Sequence, residues 1–216
     1  MNKKINKILL SRREYLKGKL RSFQLTYHPI NLFKIWLKDA YEAKIPDFNM
    51  MSLGTIDKNH QSHQRIVSMK KIEKKKIIFF TNFSSKKALH IKYNSRVSLL
   101  FIWNNINRQI LLLGTAKKIS HDKSLKYFYT RPKLSQISIW ASQQSRKISN
   151  RNILEHTFKT FQKKFENSIV PFPKFWGGYQ VDIYTAEFWQ GRRNRLHDRF
   201  LYEKIHSKWI VTRIAP

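Results

Sequence analysis

The chain has 216 residues, 41% hydrophobic and 14% aromatic, which is enough for a packed domain and argues against general disorder. Its 43 Lys and Arg against 13 Asp and Glu give a net charge of +30, typical of nucleic-acid-binding proteins, although AT-rich coding also enriches Lys, Asn and Ile. The absence of cysteine excludes disulfides and thiol catalysis, and no apolar run is long enough to span a membrane. A cytoplasmic protein with a single domain over residues 1–216 is predicted.

The N-terminal part of the chain is predicted to be helical. Basic residues are frequent over 1–20, which is predicted to be a mobile N-terminal arm with a short helix or ordered segment over 7–20. After Pro29, apolar side chains recur at helical spacing, and this predicts an amphipathic helix over 31–44 with Asn31 as its cap.

From residue 50 onwards the pattern is one of strands joined by short turns, with helices inserted. In chain order the predicted elements are strands over 50–56, 64–72 and 77–82, a helix over 84–93, a hairpin of 96–103 with 108–119, helices over 121–129 and 150–166, a break over 171–178, and strands over 179–189, 197–205 and 208–214. This order favours a mainly β fold with peripheral α-helices, in the form of a small barrel. No G-x-G-x-x-G or Walker A sequence is present, so neither a Rossmann nor a P-loop site is predicted.

A basic residue inside a strand is the first indication of a binding site. In QRIVSMKK the side chains alternate between two faces, and both faces carry apolar residues, which predicts a largely buried strand. A buried cation such as Arg65 needs an anionic partner, and the chain has few carboxylates to supply one. A bound phosphate is one interpretation, and an edge strand with solvated ends is the other.

Two further segments offer groups that bind phosphate. SSKKA (84–88) places hydroxyls and two lysines at the start of a helix, where backbone N–H groups attract anions; a solvated cap is the alternative. Tyr127, Arg131 and Ser135 lie at i, i+4 and i+8, and they share a face if Pro132 begins a second helix. Their side chains are suitable donors to a phosphate ester, whereas a surface arginine with a core tyrosine is the alternative.

The segment FWQGRRNRLHDRFLY (188–202) concentrates positive charge among aromatic residues. If it is extended, Arg195, His197 and Arg199 point to the same side and repel one another unless an anion or an electron-rich ring lies over them. Arg192 and Arg193 follow a glycine and are predicted to lie in a turn.

No metal site is predicted. His60 and His63 have a spacing suited to metal ligands, but they lie in a polar turn with no carboxylate arranged to complete a site.

Segments distributed over nearly the whole chain are shared with one known family. They are RREYLKG (12–18), QRIVSMK (64–70), FFTNFSSKKA (79–88), RVSLLF (96–101), RQ (108–109), KYFYTRP (126–132), SQIS (135–138), QQS (143–145), PFPKFWGGY (171–179), EFWQG (187–191), RLHDRFLY (195–202) and RIAP (213–216). In these segments the chain resembles the pyridoxine/pyridoxamine 5′-phosphate oxidases. FWQG followed by RLHDRF and a final R-x-AP is a highly specific combination.

The resemblance implies an FMN-binding split β-barrel that works as a homodimer, with flavin sites at the subunit interface. The implied reaction oxidises pyridoxamine or pyridoxine 5′-phosphate to pyridoxal 5′-phosphate. Hydride passes to FMN, and O2 reoxidises the flavin to give H2O2. Neither a specific nucleic acid nor a membrane is an expected partner.

The resemblance also implies roles for particular residues. Those expected to contact FMN, some from the partner subunit and Arg65 at its phosphate, are Arg65, Ile66, Val67, Ser68, Met69, Lys70, Phe80, Thr81, Lys86, Lys87, Gln109, Gln144, Ser145, Trp189 and Arg199. Those expected to contact substrate are Arg12, Arg13, Glu14 and Tyr15 in a mobile segment that covers the site, Lys70, Tyr127, Arg131 and Ser135 at its phosphate, and Arg195 and His197 over its pyridine ring. Arg195 and His197 are the predicted catalytic residues.

Four positions depart from the family pattern. Lys86 replaces an arginine, Phe80 replaces a tyrosine, Arg192 replaces a glycine, and Arg193 replaces an acidic or polar residue. Lysine keeps the charge of arginine but loses its bidentate fork. The two extra arginines are expected to change kinetics modestly.

Two other functions stay open from the residues alone. A basic β-barrel that binds nucleic acid would fit the charge and the aromatic residues. A flavin- or heme-binding relative with the same barrel and no oxidase activity would fit the cofactor residues, but it would not need the substrate set.

Overall fold

A computed structural model describes residues 5, 9, 10 and 14–216. The strands are β1 (Met50–Ile56), β2 (Ser62–Ser68), β3 (Lys71–Glu73), β4 (Lys76–Asn82), β5 (Arg96–Trp103), β6 (Arg108–Lys118), β7 (Trp176–Gln190), β8 (Asp198–Ile205) and β9 (Lys208–Arg213). The helices with bounds in this part of the chain are α1 (Pro29–Glu42), α2 (Lys86–Tyr93), α3 (His121–Tyr129), α4 (Lys133–Ala141) and α5 (Arg151–Lys164). None of the described helices has the length and apolar character needed to cross a membrane.

The nine strands belong to one hydrogen-bonded sheet. Its main path runs β2-β1-β5-β6-β7-β4-β3, while β8 pairs with β7 and β9 pairs with β8. The β1–β2 and β8–β9 hairpins are antiparallel, with Met50 opposite Ser68 in the first and Phe200 opposite Arg213 in the second. The mainly β prediction with helices outside the sheet is confirmed.

The chain divides into two compact units. Unit 1 contains residues 1–48, 100–112 and 185–216, and unit 2 contains residues 49–99 and 113–184. A single domain over 1–216 stays a prediction. Of the predicted arm, residues 14–20 are described continuously, and they contain neither helix nor strand.

Side-chain caps set where the helices begin. Ser85, Ser120 and Asn150 each accept a hydrogen bond from a backbone N–H in the first turn of α2, α3 and α5. The predicted Asn31 cap is wrong, because His28 caps α1 through a 3.2 Å bond from Ile30 N to its Nδ1. Pro29 then occupies the first helical position, where its missing N–H costs nothing.

The predicted strand over 64–72 is wrong, because the chain changes partners in its middle. Strand β2 ends at Ser68, and β3 begins at Lys71. Between them, Met69 N donates to Asn49 O at 2.9 Å, and Lys70 N donates to Ile78 O at 2.8 Å. The backbone therefore leaves the neighbourhood of β1 and joins β4 within two residues.

The predicted break over 171–178 ends earlier than expected. Strand β7 begins at Trp176 and pairs with β4 from there, so both glycines of the segment lie in a strand. A Cβ on Gly178 would lie 2.5 Å from the Ile119 side chain and 2.9 Å from the Phe80 ring. Glycine here permits close packing in a sheet rather than a turn.

Each unit has its own aromatic core. In unit 2, Phe128 of α3, Ile137 of α4 and Phe165 beyond α5 pack with Trp176 of β7. In unit 1, the Phe33 and Phe101 rings lie 4.9 Å apart, centroid to centroid, and both side chains are fully buried. Burial of each such side chain stabilises the fold by about 1.5–3 kcal/mol.

A buried amide joins three segments of unit 1. Gln190 is fully buried, and its Nε2 donates to Lys17 O at 2.6 Å and to Asn107 O at 3.1 Å. Its Oε1 accepts a hydrogen bond from Arg108 Nε at 2.9 Å. The amide therefore holds the backbone of Lys17 and of Asn107 in place beside the end of β7.

Candidate active site

Arg65 of β2 is partly buried and has only neutral partners. Its Nη1 donates to Leu53 O at 2.9 Å and to Thr55 Oγ1 at 2.6 Å, both across the β1–β2 hairpin. Burial lowers the pKa of the guanidinium. Within the described residues no salt bridge joins Arg65 to a carboxylate, so its charge is not neutralised by the protein.

Lys87 is a second buried cation in unit 2. Its side chain lies in the first turn of α2, and its Nζ donates to Thr81 Oγ1 at 3.3 Å. The residue is only 8% exposed. Burial, and then the charge of Arg65, lower the pKa of Lys87. Two cations that repel each other therefore share a buried region that has only neutral hydrogen-bond acceptors beside them.

Gln144 and Ser145 extend this polar region. Gln144 Oε1 accepts from Thr81 Oγ1 at 3.0 Å and from Asn82 N at 3.3 Å, and Ser145 Oγ accepts from Lys86 N at 3.3 Å. The structure thus brings together four of the predicted FMN residues that lie about 60 positions apart in sequence. The Lys86 side chain is exposed at the start of α2.

The rest of the segment after Arg65 alternates as expected but is not largely buried. Ile66 is 66% exposed, Lys70 is exposed, and Met69 is buried. Val67 and Ser68 are intermediate, and Ser68 Oγ lies 3.0 Å from Met50 Sδ. The prediction of a strand buried on both faces is wrong, because β2 lies at one end of the strand order. The predicted FMN roles of these residues stay predictions.

Arg131 has a buried nitrogen with no partner. Its Nε is buried and makes no hydrogen bond, while Nη2 donates to Ser135 O at 3.3 Å. Its guanidinium lies over the Trp176 ring, 5.5 Å from the centroid. An unpaired buried donor is costly, and this one belongs to a cation. The arrangement is suited to an anion that accepts from Arg131.

Pro132 joins two helices as predicted. Helix α3 ends at Tyr129, and Pro132 is the residue before the first turn of α4. The Tyr127 ring stacks on Phe80 with centroids 3.8 Å apart and planes 18° apart. Tyr127, Arg131 and Ser135 therefore lie in one part of unit 2, and their assignment to a substrate phosphate stays a prediction.

A cavity of about 340 Å³ adjoins Arg131. Its lining consists of Phe80, Thr81, Asn82, Arg131, Ser138, Ile139, Ser142, Gln144 and Trp176. Asn82, Ser138 and Ser142 are not among the site residues predicted from the sequence. Helical spacing gives a signal for Ser138, because it follows Ser135 by three residues on the same helix face, whereas Ser142 lies just beyond the end of α4.

His197 lies in an aromatic cluster of unit 1. Its ring centroid is 4.6 Å from that of Trp189 and 5.4 Å from that of Tyr15. Arg192 N donates to His197 Nδ1 at 3.1 Å, which leaves Nε2 to carry the proton of the neutral ring. Burial, and then the charges of Arg195 and Arg199, lower the pKa of His197.

Arg195 lies in a turn and not in a strand. Residues Arg193–Arg195 form a short 3-10 helix, and Asn194 and Arg195 have φ values of 55° and 60°. The predicted extended face that starts at Arg195 is therefore wrong, because β8 begins only at Asp198. The placement of Arg193 in a turn is confirmed. Arg195 is exposed and has no salt bridge within the described residues.

Arg199 is held by unit 1 itself. Its Nε and Nη2 both lie 2.8 Å from Glu187 Oε1, and its Nη1 donates to Ala215 O at 2.8 Å. Glu187 raises the pKa of this guanidinium. Gln109 is partly buried in β6. FMN contacts for Arg199, Gln109 and Trp189 stay predictions.

The predicted N-terminal contacts divide between described and undescribed residues. Arg12 and Arg13 lie outside the described residues. Glu14 Oε2 accepts from Asn194 N at 3.3 Å, and Tyr15 packs against Gly191, where a Cβ would lie 2.8 Å from the tyrosine ring. Within unit 1, Glu14 and Tyr15 therefore contact the turn that carries Arg195.

Sequence comparisons identify relatives along almost the whole chain. A family profile described as "Pyridoxamine 5'-phosphate oxidase" matches residues 37–165, and one described as "Pyridoxine 5'-phosphate oxidase C-terminal dimerisation region" matches residues 176–216. The chain is 49% identical over 205 residues to a pyridoxine/pyridoxamine 5'-phosphate oxidase from Blochmanniella pennsylvanica, covering 95% of each chain. It is 45% identical over 216 residues to the enzyme of that name from Sodalis glossinidius, covering both chains fully.

Solved structures share the fold. PhzG from Burkholderia lata, solved with tetrahydrophenazine-1-carboxylic acid, superposes with a TM-score of 0.87 at 24% identity, over 93% of this chain and 99% of that one. A pyridoxamine 5'-phosphate oxidase-related FMN-binding protein from Nostoc punctiforme gives a TM-score of 0.70 at 14% identity, over 89% and 100%. The predicted split-barrel fold is confirmed.

Proposed function

Because the chain belongs to the pyridoxine/pyridoxamine 5'-phosphate oxidase family, we propose that it oxidises pyridoxamine or pyridoxine 5′-phosphate to pyridoxal 5′-phosphate, with FMN as cofactor and O2 as the final acceptor, which is reduced to H2O2. The amine substrate also takes up one water and releases ammonia, whereas the alcohol substrate does neither. The relatives bear that name at 45–49% identity over 95% or more of this chain. A basic barrel whose purpose is to bind nucleic acid is not favoured, since the match extends well beyond the basic residues.

The observation that carries the FMN proposal is a pair of cations in unit 2, the buried Lys87 and the partly buried Arg65. Arg65 and Lys87 repel each other, and their described partners are neutral oxygens. A phosphate dianion beside them would supply the missing negative charge and accept charge-assisted hydrogen bonds. The residues present therefore fit the phosphate of FMN.

Other predicted FMN residues would bind around this phosphate. Thr81, Gln144, Lys86 and Ser145 already share hydrogen bonds with each other or with adjacent backbone. Because the Thr81, Gln144 and Ser145 side chains are held before any ligand binds, they have little entropy left to lose on binding, whereas the exposed Lys86 side chain would still have to be ordered. When bound, FMN supplies the two-electron acceptor, and the protein supplies placement and charge.

Arg131 is the proposed anchor for the phosphate of the substrate. Its Nε is a buried donor with no partner, and Ser138 and Ser142 are among the residues that line the adjoining cavity. Tyr127 and Ser135 would add hydroxyl donors, and Lys70 would add charge. The phosphate would accept from the terminal nitrogens of the guanidinium, whose described hydrogen bond is to the neutral Ser135 carbonyl.

Arg195 and His197 are the proposed catalytic residues. The neutral His197 ring accepts at Nδ1 from the backbone, so it can donate only from Nε2. Arg195 would place a positive charge beside the pyridine ring of the substrate, where it opposes negative charge that develops during oxidation. Tyr15 would restrict access of water to His197, because it packs against that ring.

A homodimer is the proposed working form. Residues 176–216 match a region described by its role in dimerisation, and this region includes β8, β9 and both proposed catalytic residues. A cytoplasmic location stays a prediction from the sequence.

The test is a visible spectrum of the purified protein, followed by anaerobic addition of pyridoxamine 5′-phosphate. We expect a bound flavin whose absorption bleaches with the phosphorylated amine and returns with O2. Unphosphorylated pyridoxamine is the matched control and should bleach far more slowly, because it lacks the group that Arg131 would bind. A flavin that never bleaches would leave a flavin-binding relative without oxidase activity, and a colourless protein that does not take up added FMN would overturn the proposal.

A further inference from the structure

Three metal-ligating side chains meet beside the β1–β2 hairpin, and none of them is among the residues assigned to FMN or substrate. Asp57 lies in the hairpin turn, His63 lies in β2, and His90 lies in α2. One ligand atom from each residue lies within 4.8 Å of the other two. We propose that Asp57, His63 and His90 bind a divalent transition-metal ion, and that Zn²⁺ suits them best. The proposal does not depend on the flavin chemistry.

The hairpin holds the carboxylate in position. Asp57 Oδ1 accepts from Asn59 N at 2.9 Å and from Gln61 N at 3.0 Å, and its Oδ2 lies 2.9 Å from His63 Nε2. One carboxylate oxygen thus fixes the turn, while the other faces the imidazole. No carboxylate was expected near His63 from the sequence, because the register that brings Asp57 back toward β2 is a property of the folded hairpin.

Helix α2 supplies the second imidazole. The rings of His63 and His90 have centroids 4.6 Å apart with planes inclined by 48°. His90 Nδ1 lies 3.0 Å from Thr55 Oγ1, which orients the ring from the side of β1. A hydrogen-bonded partner of this kind commonly orients histidine ligands in metal sites.

The donor set and its geometry suit Zn²⁺. Two imidazoles and one carboxylate are a known ligand set for Zn²⁺ sites that keep a position open for water. Bonds of about 2.0–2.2 Å in a tetrahedron place ligand atoms about 3.4 Å apart, so the widest separation here would have to close by about 1.4 Å or less. All three side chains are partly exposed, so they have room to make this adjustment.

Nearby positive charge limits the affinity. Thr55 Oγ1, which contacts His90, also accepts from Arg65 Nη1 at 2.6 Å. A single carboxylate does not neutralise a divalent ion, so the occupied site stays cationic close to Arg65. We therefore expect weaker binding than in a closed structural site with four protein ligands.

His60 provides a matched control. It lies in the same turn, it is exposed, and its ring centroid is 6.2 Å from that of Tyr93 and outside the cluster. A His60→Gln variant removes one imidazole from the same hairpin without touching the proposed ligands.

The experiment is calorimetric titration of Zn²⁺ into the full-length protein, carrying the flavin that it retains, in a buffer without phosphate or chelators. We expect one site per chain that is kept in His60→Gln and weakened about tenfold or more in His90→Gln and in Asp57→Asn. Zn²⁺ should also raise the Tm of the wild-type protein and of His60→Gln, but not that of His90→Gln.

Each other outcome counts against the site. The proposal is overturned if the wild-type protein has no such site, if His90→Gln and Asp57→Asn bind as the wild type does, or if His60→Gln loses as much affinity as they do. Should His90→Gln fail to fold, His63→Gln takes its place in the comparison. Zn²⁺ bound at other histidines would add the same number of ions per chain in every variant.

Discussion

The buried and partly buried arginines and lysines of the two units have different kinds of partner. In unit 1, Arg108 pairs with Asp39, Arg192 and Arg213 both pair with Asp198, and Arg199 pairs with Glu187. In unit 2, the polar partners of Arg65, Lys87 and Arg131 are hydroxyls and backbone carbonyls. Unit 2 also has cations that pair with carboxylates, such as Lys123 with Glu73. Among the described residues, however, the buried or partly buried cations with neutral partners lie in unit 2.

This difference between the units is a better guide to the position of an anion-binding site than the net charge is. A charge of +30 spread along the chain identifies no particular surface. A buried cation without a carboxylate, in contrast, leaves a local imbalance that a ligand can correct. In unit 1, Arg193 and Arg195 also have no salt bridge within the described residues, but both are exposed in a turn, so their charges are solvated.

The largest effect is expected at Arg195, the proposed catalytic arginine. We predict that Arg195→Leu lowers kcat/KM for pyridoxamine 5′-phosphate by roughly 10²–10³, because it removes a charge that would stabilise the transition state. Flavin content, measured by absorption, should not change. Arg193→Leu in the same turn is the control and should stay within a few-fold of wild type. Near-normal turnover of Arg195→Leu would remove that residue from the catalytic pair.

The next effect tests the buried cations of unit 2. Lys87→Met should weaken FMN binding by roughly 10- to 100-fold, as expected for the loss of a hydrogen bond from a charged group. Without flavin, the free energy of unfolding should not fall, because the change removes a buried charge that Arg65 repels. FMN titration and chemical denaturation measure the two quantities.

Lys123→Met is the control for that change. Lys123 lies in the same unit but forms a salt bridge with Glu73. It should bind FMN like the wild type. If Lys87→Met binds FMN normally, or if Lys123→Met loses as much affinity, the distinction between paired and unpaired cations is wrong.

A smaller effect concerns the protonation of His197. Its pKa should lie below the ordinary 6.5 and should rise in Arg195→Leu, yet stay below 6.5, because burial is the larger cause. The unfolded chain binds the His197 proton more readily than the folded chain does, so protonation lowers the free energy of unfolding. This loss of stability is absent above pH 6.5 and grows as the pH falls through the folded pKa. NMR titration of the ring signal gives the midpoint. A midpoint that is unmoved in Arg195→Leu would show that the charge of Arg195 does not reach the ring.

The smallest effect is expected for Arg192, which stands where the family has a glycine. Arg192→Gly removes a partly exposed salt bridge to Asp198, worth about 0–1 kcal/mol. Asp198 keeps Arg213 and the Leu20 N–H as partners, and the backbone N–H on His197 is retained. Steady-state kinetics should change only a few-fold. A gain of tens of fold would show that Arg192 obstructs the site.

Most of the strands and helices could be predicted from the sequence, because local signals define them. Alternation and turn residues predicted β1 with its observed bounds, and a serine cap with helical spacing predicted α2. The errors lie where tertiary contacts decide. The break between β2 and β3 depends on a change of hydrogen-bond partner at Met69, and the start of β7 depends on close packing at Gly178.

The roles of the candidate site residues stay predictions, and their placement could be predicted only in part. Tyr127, Arg131 and Ser135 lie in one part of unit 2, as their spacing indicates, because Pro132 separates α3 from α4 and directly precedes the first turn of α4. The extended face at 195–199 was wrong, because positive φ values at Asn194 and Arg195 cannot be read from alternation. The carboxylate beside His63 was also missed, since a turn that folds back on its own strand leaves no periodic signal.

The buried amide of Gln190 has a consequence for the order in which the chain folds. Its hydrogen bond to Lys17 O joins residues 173 positions apart, and its bond to Arg108 joins residues 82 positions apart. Contacts of such high sequence separation form late, because a long loop must close before they contribute. During synthesis residues 14–20 therefore wait for almost the whole chain to leave the ribosome before they can take their native positions.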